Sequence, residues 1–178
     1  GYGDREIIRF TTHIKNIGKS DYYIGTPTSS PGQFEWDNCH SHNHYVGYAE
    51  YVLYDVDNFS TPVGFKNGFC VMDLECDSGG TGTYGCSNMG ISYDCGDYYN
   101  SSLNCQWIDI TEIDTGRYVL VTRVNWDQSP DALGQYESDY NNNWAQACFH
   151  LERDSLTGAP SITLDTVCPA YEDCASIP

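Results

Sequence analysis

The sequence predicts an all-β fold: an antiparallel β-sandwich core with long disulfide-tied loops and little helix. Two observations predict it. Period-2 segments rich in Tyr, Val, Ile and Thr recur along the 178 residues, and clusters of Gly, Asn, Asp and Ser separate them, while helix signals are scarce. Several such strands in one chain of this size favour a sandwich of antiparallel sheets.

The elements follow in order. In "EIIRFTTHI", Ile8, Phe10, Thr12 and Ile14 share one face of an extended segment. In "YAEYVLYD", Ala49, Tyr51 and Leu53 do the same. The segments "CQWIDIT" and "GRYVLVTRVN" predict a hairpin around Asp114-Thr115-Gly116, and "NWAQACFHLE" predicts a later strand. Between Cys76 and Asn104 the chain is rich in Gly, Ser, Asp and Tyr and predicts a long irregular excursion tied down by disulfides. No repeat or low-complexity tail divides the chain, so a single domain over residues 1–178 is the simplest expectation.

Eight Lys plus Arg stand against 25 Asp plus Glu, giving a net charge of −17. That excludes a nucleic-acid partner, because phosphate binding needs a basic surface. An acidic surface instead gathers cations, amines and metal ions among them. Nine cysteines, with no C-x-x-C pair, point to an oxidising compartment and a disulfide framework. Nine is odd, so one cysteine stays free, pairs between chains or has a partner elsewhere. The sequons at Asn58 and Asn100 fit a secreted glycoprotein. The first residues, GYGDREII, are not a signal peptide, so a secreted protein would be represented here by a processed or partial chain. No segment is long and apolar enough to span a membrane.

Three of the five histidines fall in "CHSHNHY", at His40, His42 and His44. Chance gives roughly 0.004 such matches in a chain of this composition. On an extended strand, positions i, i+2 and i+4 point one way, about 7 Å apart. Their nitrogens can then converge on one ion at ~2 Å. Imidazole suits Cu, Zn, Fe and Ni, and three histidines alone do not choose among them.

The order "WDNCHSHNHY", "GFKNGFCVMDLEC", "CGDYYNSSLNCQWIDIT" and "ESDYNNN" resembles the catalytic domain of lysyl oxidases, copper amine oxidases that act on peptidyl lysine. The segment "IIRFTTHIKNIGKSDYY" resembles that domain's start. The similarity runs over about residues 6–150, leaving 151–178 as a C-terminal extension. The resemblance implies Cu²⁺ on His40, His42 and His44. It also implies a lysine tyrosylquinone cofactor built from Lys66 and Tyr99. A quinone of this kind condenses with a primary amine and yields aldehyde, ammonia and hydrogen peroxide, the cofactor carrying the hard step. The implied disulfides are Cys39–Cys86, Cys70–Cys76 and Cys95–Cys105, with Cys148 bonded to Cys168 or Cys174. Glu137, Asp139, Asn142 and Asn143 offer calcium-type oxygens, and some relatives bind Ca²⁺ there; an Asx-rich turn accounts for the same residues.

The chain departs from the animal pattern. Glu50 stands where animal lysyl oxidases have a histidine, and Val52 where they have an acidic residue, so the pattern looks more like microbial or protist relatives. The catalytic base is unassigned, with Glu50 and Asp73 as candidates. A glycan on Asn100, beside Tyr99, would crowd the cofactor. Two function classes therefore stand. One is a secreted copper amine oxidase acting on small amines or on the lysines of a matrix or cell-wall protein. The other is a non-catalytic structural or filament-forming module, assembling through the odd cysteine or a Tyr-rich surface. A zinc hydrolase needs only three histidines and a water, and nothing else in the sequence supports it.

Overall fold

Alternation and turn chemistry have their expected outcome. The structure, a computed structural model, describes residues 4–29, 32–57, 68–104 and 106–167, and these hold fourteen strands and no helix. They are β1 (Ile7–Ile8), β2 (Thr12–Lys15), β3 (Tyr22–Gly25), β4 (Phe34–Asp37), β5 (His42–Val46), β6 (Ala49–Asp55), β7 (Gly68–Phe69), β8 (Glu75–Cys76), β9 (Met89–Ile91), β10 (Cys95–Tyr99), β11 (Ile108–Asp109), β12 (Gly116–Val124), β13 (Trp144–Arg153) and β14 (Pro160–Asp165). Every pairing among them is antiparallel.

The long strands build one four-stranded sheet in the order β14-β13-β12-β6. Four small sheets accompany it: β2-β10-β8, β4-β5-β7, β3-β9 and β1-β11. One face of the large sheet, with Ala49, Tyr51, Leu53, Tyr118, Leu120, Phe149 and Leu151, packs into a core shared with Ile14, Ile24, Phe69, Met89, Ile91, Tyr99 and Ile108 of the small sheets. That is the sandwich. The opposite face carries a second cluster of Val52, Tyr54, Val119, Val121 and Cys148. Strand alternation assigns neighbours to opposite faces, which is why β6 and β12 read as nearly continuous apolar runs.

The core between the layers is largely aromatic. Phe10 meets Tyr51 edge-on at 4.8 Å, Tyr51 meets Phe69 at 5.6 Å, and Phe69 meets Tyr99 at 5.0 Å. Edge-to-face pairs contribute about 0.5–1.5 kcal/mol each beyond the area they bury. This row of rings reaches Tyr99.

Two expectations are corrected. The segment holding Ile108 and Asp109 does not form a hairpin with β12. It pairs with β1, while β12 takes β6 and β13 as its neighbours. Long strands of matched length outcompete a two-residue partner for the central position. The stretch from Cys76 to Asn104 is also less irregular than its composition suggests. It contains β9 and β10, and β10 lies between β2 and β8 with Cys95, Gly96, Asp97 and Tyr99 buried.

The disulfide pairing differs from the implied one. Cys76 lies directly opposite Cys95 across β8 and β10, and these two are bonded; Cys70 is bonded to Cys86. Register fixes the first pair and leaves Cys86 to Cys70, so Cys39–Cys86, Cys70–Cys76 and Cys95–Cys105 do not form. Cys39 and Cys148 each take part in a disulfide as well. Cys105, Cys168 and Cys174 lie outside the described residues.

Candidate metal centre and tyrosine site

The three histidines do not share one strand. His42 and His44 are on β5, side by side on one face, but His40 belongs to the turn that joins β4 to β5. Ser41 between them is left-handed, with φ 57°, and its N–H donates to the Asp37 carbonyl at 2.8 Å. This reversal swings His40 back over the strand. The ring centroids lie 5.5, 5.3 and 5.0 Å apart, and one ring nitrogen from each histidine falls within 4.8 Å of the others.

The hydrogen bonds around the rings orient their lone pairs. His40 Nε2 lies 2.8 Å from the Asn104 carbonyl oxygen, an acceptor, so that nitrogen carries the proton and Nδ1 is left as a donor atom. His44 Nδ1 faces Asp37 Oδ2 at 3.5 Å, which turns Nε2 toward His40. The two facing nitrogens, His40 Nδ1 and His44 Nε2, are 3.3 Å apart. Two ligands each ~2 Å from one ion sit at about that separation. The donor set therefore fits a borderline-soft cation, copper included.

Asp37 anchors this arrangement, and sequence reasoning passed over it. Its Oδ1 accepts the backbone N–H of His40 at 2.8 Å, and its carboxylate faces the rings of both His40 and His44. Burial alone would raise its pKa; the His40 N–H, the nearby His44 and the Cys39 N–H outweigh that and hold it below 3.8. The signal was an aspartate three residues before the first histidine, where its side chain can reach forward to a backbone N–H. Gly68 on β7 backs His44 from the other side. A Cβ there would meet His44 Cβ at 3.2 Å and Nδ1 at 3.4 Å.

Tyr99 lies at the end of β10 and is 7 % exposed. Its hydroxyl has two acceptors, Asp97 Oδ2 at 2.6 Å and the Cys70 carbonyl at 3.0 Å. Burial, then the charge and hydrogen bond of Asp97, push its pKa well above 10. Cys70 links this site to the histidines: its Sγ and that of Cys86 lie within 4.8 Å of a ring nitrogen of His42. The sulfurs are joined in a disulfide, so they are not thiolate ligands. Cys70 therefore borders both the Tyr99 hydroxyl, through its carbonyl, and His42, through its sulfur.

The remaining expected residues are placed as follows. Glu50 is ion-paired with Arg123 across β6 and β12, on the sheet face opposite Tyr51 and therefore away from Tyr99. Asp73 is held by the N–H groups of Thr83, Tyr84 and Ser92 and by the Ser92 hydroxyl. Against burial, these donors keep its pKa below 3.8. The carboxylate that reaches Tyr99 is Asp97. Its signal was its position two residues before Tyr99 on one strand, hence on the same face. Asn100 is exposed where Tyr99 is buried, so a glycan there would extend into solvent rather than over the ring. Glu137, Asp139, Asn142 and Asn143 line one cavity of about 660 Å³. Glu137 accepts from the side-chain amides of Asn125 and Asn143, and Asp139 from Asn141. Lys66 and Asn58 lie outside the described residues.

The lysyl oxidase family model matches residues 1–158. The chain belongs to the lysyl oxidase family. It is 38 % identical to protein-lysine 6-oxidase of Gallus gallus over 146 residues, covering 80 % of this chain and 33 % of that protein. Against protein-lysine 6-oxidase of Sus scrofa it is 38 % identical over 148 residues, covering 80 % and 55 %. Against lysyl oxidase homolog 1 of Homo sapiens it is 35 % identical over 155 residues, covering 84 % and 25 %. This lysyl-oxidase-like chain thus spans between a quarter and just over half of these relatives. No helix among the described residues is long and apolar enough to cross a membrane.

Proposed function

We infer that this lysyl-oxidase-like chain is a secreted copper- and quinone-dependent amine oxidase that converts primary amines, peptidyl lysine or small amines, to aldehydes. The observation that carries this reading is the cluster of three histidine nitrogens, whose His42 lies beside the Cys70–Cys86 disulfide while the Cys70 carbonyl accepts from a buried tyrosine. His40, His42 and His44 would hold the copper. Tyr99, with Lys66, would form the quinone. When bound, copper supplies oxidation of the tyrosine ring by O₂, and the quinone supplies the carbonyl that takes up the amine.

The chain's own residues do the rest. Asp37 and the Asn104 carbonyl fix the imidazoles so that they bind without reorganising. Phe69 and the core behind it exclude water from the Tyr99 ring. Asp97 and the Cys70 carbonyl hold the phenol oxygen in place. The net charge of −17 draws cationic amines toward the molecule, and the disulfides suit an extracellular location. Calcium at Glu137, Asp139, Asn142 and Asn143 belongs to the same reading, but it would have to displace the amide donors that now hold those carboxylates.

The test is copper loading followed by a coupled assay of hydrogen peroxide release from a primary amine. Wild-type chain should release peroxide, and a chain with His42→Ala and His44→Ala should neither retain copper nor release it. Wild-type chain that holds copper and releases no peroxide from any primary amine would contradict the oxidase reading. A structural module is the second reading, favoured by β14: it edges the large sheet among the described residues and exposes Ile162 and Leu164. Such an edge suits strand addition.

A further inference from the structure

We propose that Asp97 is the proton acceptor for the Tyr99 hydroxyl, a catalytic carboxylate of cofactor formation; this rests on Tyr99 being the quinone precursor.

The geometry is specific. Asp97 is fully buried. Its Oδ2 accepts the Tyr99 O–H at 2.6 Å and the Met72 N–H at 3.2 Å. The Tyr99 oxygen is 3.0 Å from a second acceptor, the Cys70 carbonyl, yet a phenol has one proton to give. A phenolate placed between a carboxylate and a carbonyl would be repelled by both. If the proton crosses to Asp97, a hydrogen bond replaces the carboxylate repulsion and only the Cys70 carbonyl dipole still faces the phenolate. The protonated carboxyl then donates back to the phenolate oxygen.

Charge conservation favours this route. Carboxylate plus phenol carries one negative charge, and carboxyl plus phenolate carries one as well. Loss of the phenol proton to solvent would instead leave two negative charges side by side in a buried site, which burial strongly disfavours. Consistent with this, the hydroxyl resists ionisation toward solvent, through burial first and the Asp97 charge second. A phenolate is far more easily oxidised than a phenol. A built-in acceptor therefore prepares the ring without bringing water to it. The transfer moves one proton from Tyr99 Oη to Asp97 Oδ2, and the electrons leave the ring for O₂ as the oxidase reading already requires.

The pair is also rigidly held. β10 is hydrogen-bonded on one side to β2, opposite Thr12 through Lys15, and on the other to β8, where the Cys76–Cys95 disulfide crosses. Asp97 and Tyr99 sit two positions apart on this strand and cannot separate without breaking that ladder.

The test compares full chains carrying Asp97 and Asp97→Asn, loaded with copper and exposed to O₂. Quinone absorbance and the Lys66–Tyr99 link, read by peptide mass spectrometry, are followed in time. Thermal melting and copper stoichiometry report folding and loading. With both of these retained, Asp97→Asn should form the link at least ~100-fold more slowly, the usual worth of a positioned base. Formation at the wild-type rate would overturn the proposal. Should Asp97→Asn fail to fold, Asp97→Glu takes its place: the longer side chain misplaces the charge, so slow linkage is expected and wild-type linkage overturns it. A wild-type chain that never links would overturn the oxidase reading itself, and the Asp97 proposal with it.

Discussion

At the scale of single residues, the site depends on which nitrogen of each histidine is left bare. His40 donates a hydrogen bond from Nε2–H to the Asn104 carbonyl, and Asp37 faces His44. Asp37→Asn keeps the shape and removes the charge. Partners of this kind are worth 10–100-fold in metal affinity, so copper binding by competition titration should weaken by about that factor with little change in melting temperature. An unchanged copper affinity would show that the histidines orient themselves. Gly68 tests the same site from behind. Gly68→Ala pushes a methyl against His44 and should also weaken copper, whereas Gly85→Ala, with nothing within 4 Å of the new Cβ, should not. The histidine cluster was legible in the sequence because its spacing was so improbable. The place of His40 was not, because periodicity describes strands and a left-handed Ser41 breaks the period. Asp97 was hidden by having an ordinary residue type, although its i−2 spacing from Tyr99 was in view.

Elements position these residues. β5 is fixed between β4 and β7, and β10 between β2 and β8, so His42, His44 and Tyr99 each sit on a central strand of a small sheet. Strands β6 and β13 were readable from period, with Ala49, Tyr51 and Leu53 on one face of the first and Ala147, Phe149 and Leu151 on one face of the second. The pairing of β11 with β1 was not, because two-residue strands carry no periodic signal and only a long-range contact assigns them. The disulfides divide by role. Each closes a loop of 16 or 19 residues, a span worth about 3 kcal/mol in the chain-entropy model. A Cys76→Ser, Cys95→Ser chain should lose about that in urea unfolding and keep its copper. A Cys70→Ser, Cys86→Ser chain should lose stability and copper affinity together, because this bond abuts His42. Equal copper affinity in both chains would mean the Cys70–Cys86 bond is purely structural. Arg153 ties β13 to the carbonyls of Ile110 and Ile113 and to Glu6. Arg153→Ala strands those acceptors and should cost about 2–3 kcal/mol in the same assay.

For the whole molecule, charge decides the pH response. Asp37, Asp73, Asp109, Asp154 and Asp165 all have pKa values below their ordinary 3.8, Asp109 at about 2 through Thr111 and Arg5. Depressed carboxylates stabilise the fold above the unfolded value, and that stability is lost as pH falls through the folded value. Urea unfolding should therefore be flat above pH 5 and weaken steeply from about pH 4 toward 2. Half-buried Tyr22 and buried Tyr48, Tyr51 and Tyr99 are raised above 10, so the fold should weaken again as pH climbs past 10. A flat profile on the acid side would contradict the hydrogen bonds assigned to these aspartates. The two-layer architecture was legible at this scale, since composition and alternation sum over many residues. The assembly of five sheets was not, because it is set by contacts distant in sequence.

Whether this fold matures a quinone from its own side chains is read most directly by peptide mass spectrometry of reduced, deglycosylated wild-type chain after saturation with copper and O₂. Maturation should give one cross-linked species joining the peptides that carry Lys66 and Tyr99. Two separate, unmodified peptides from copper-loaded material would contradict it and leave a lysyl oxidase fold without lysyl oxidase chemistry.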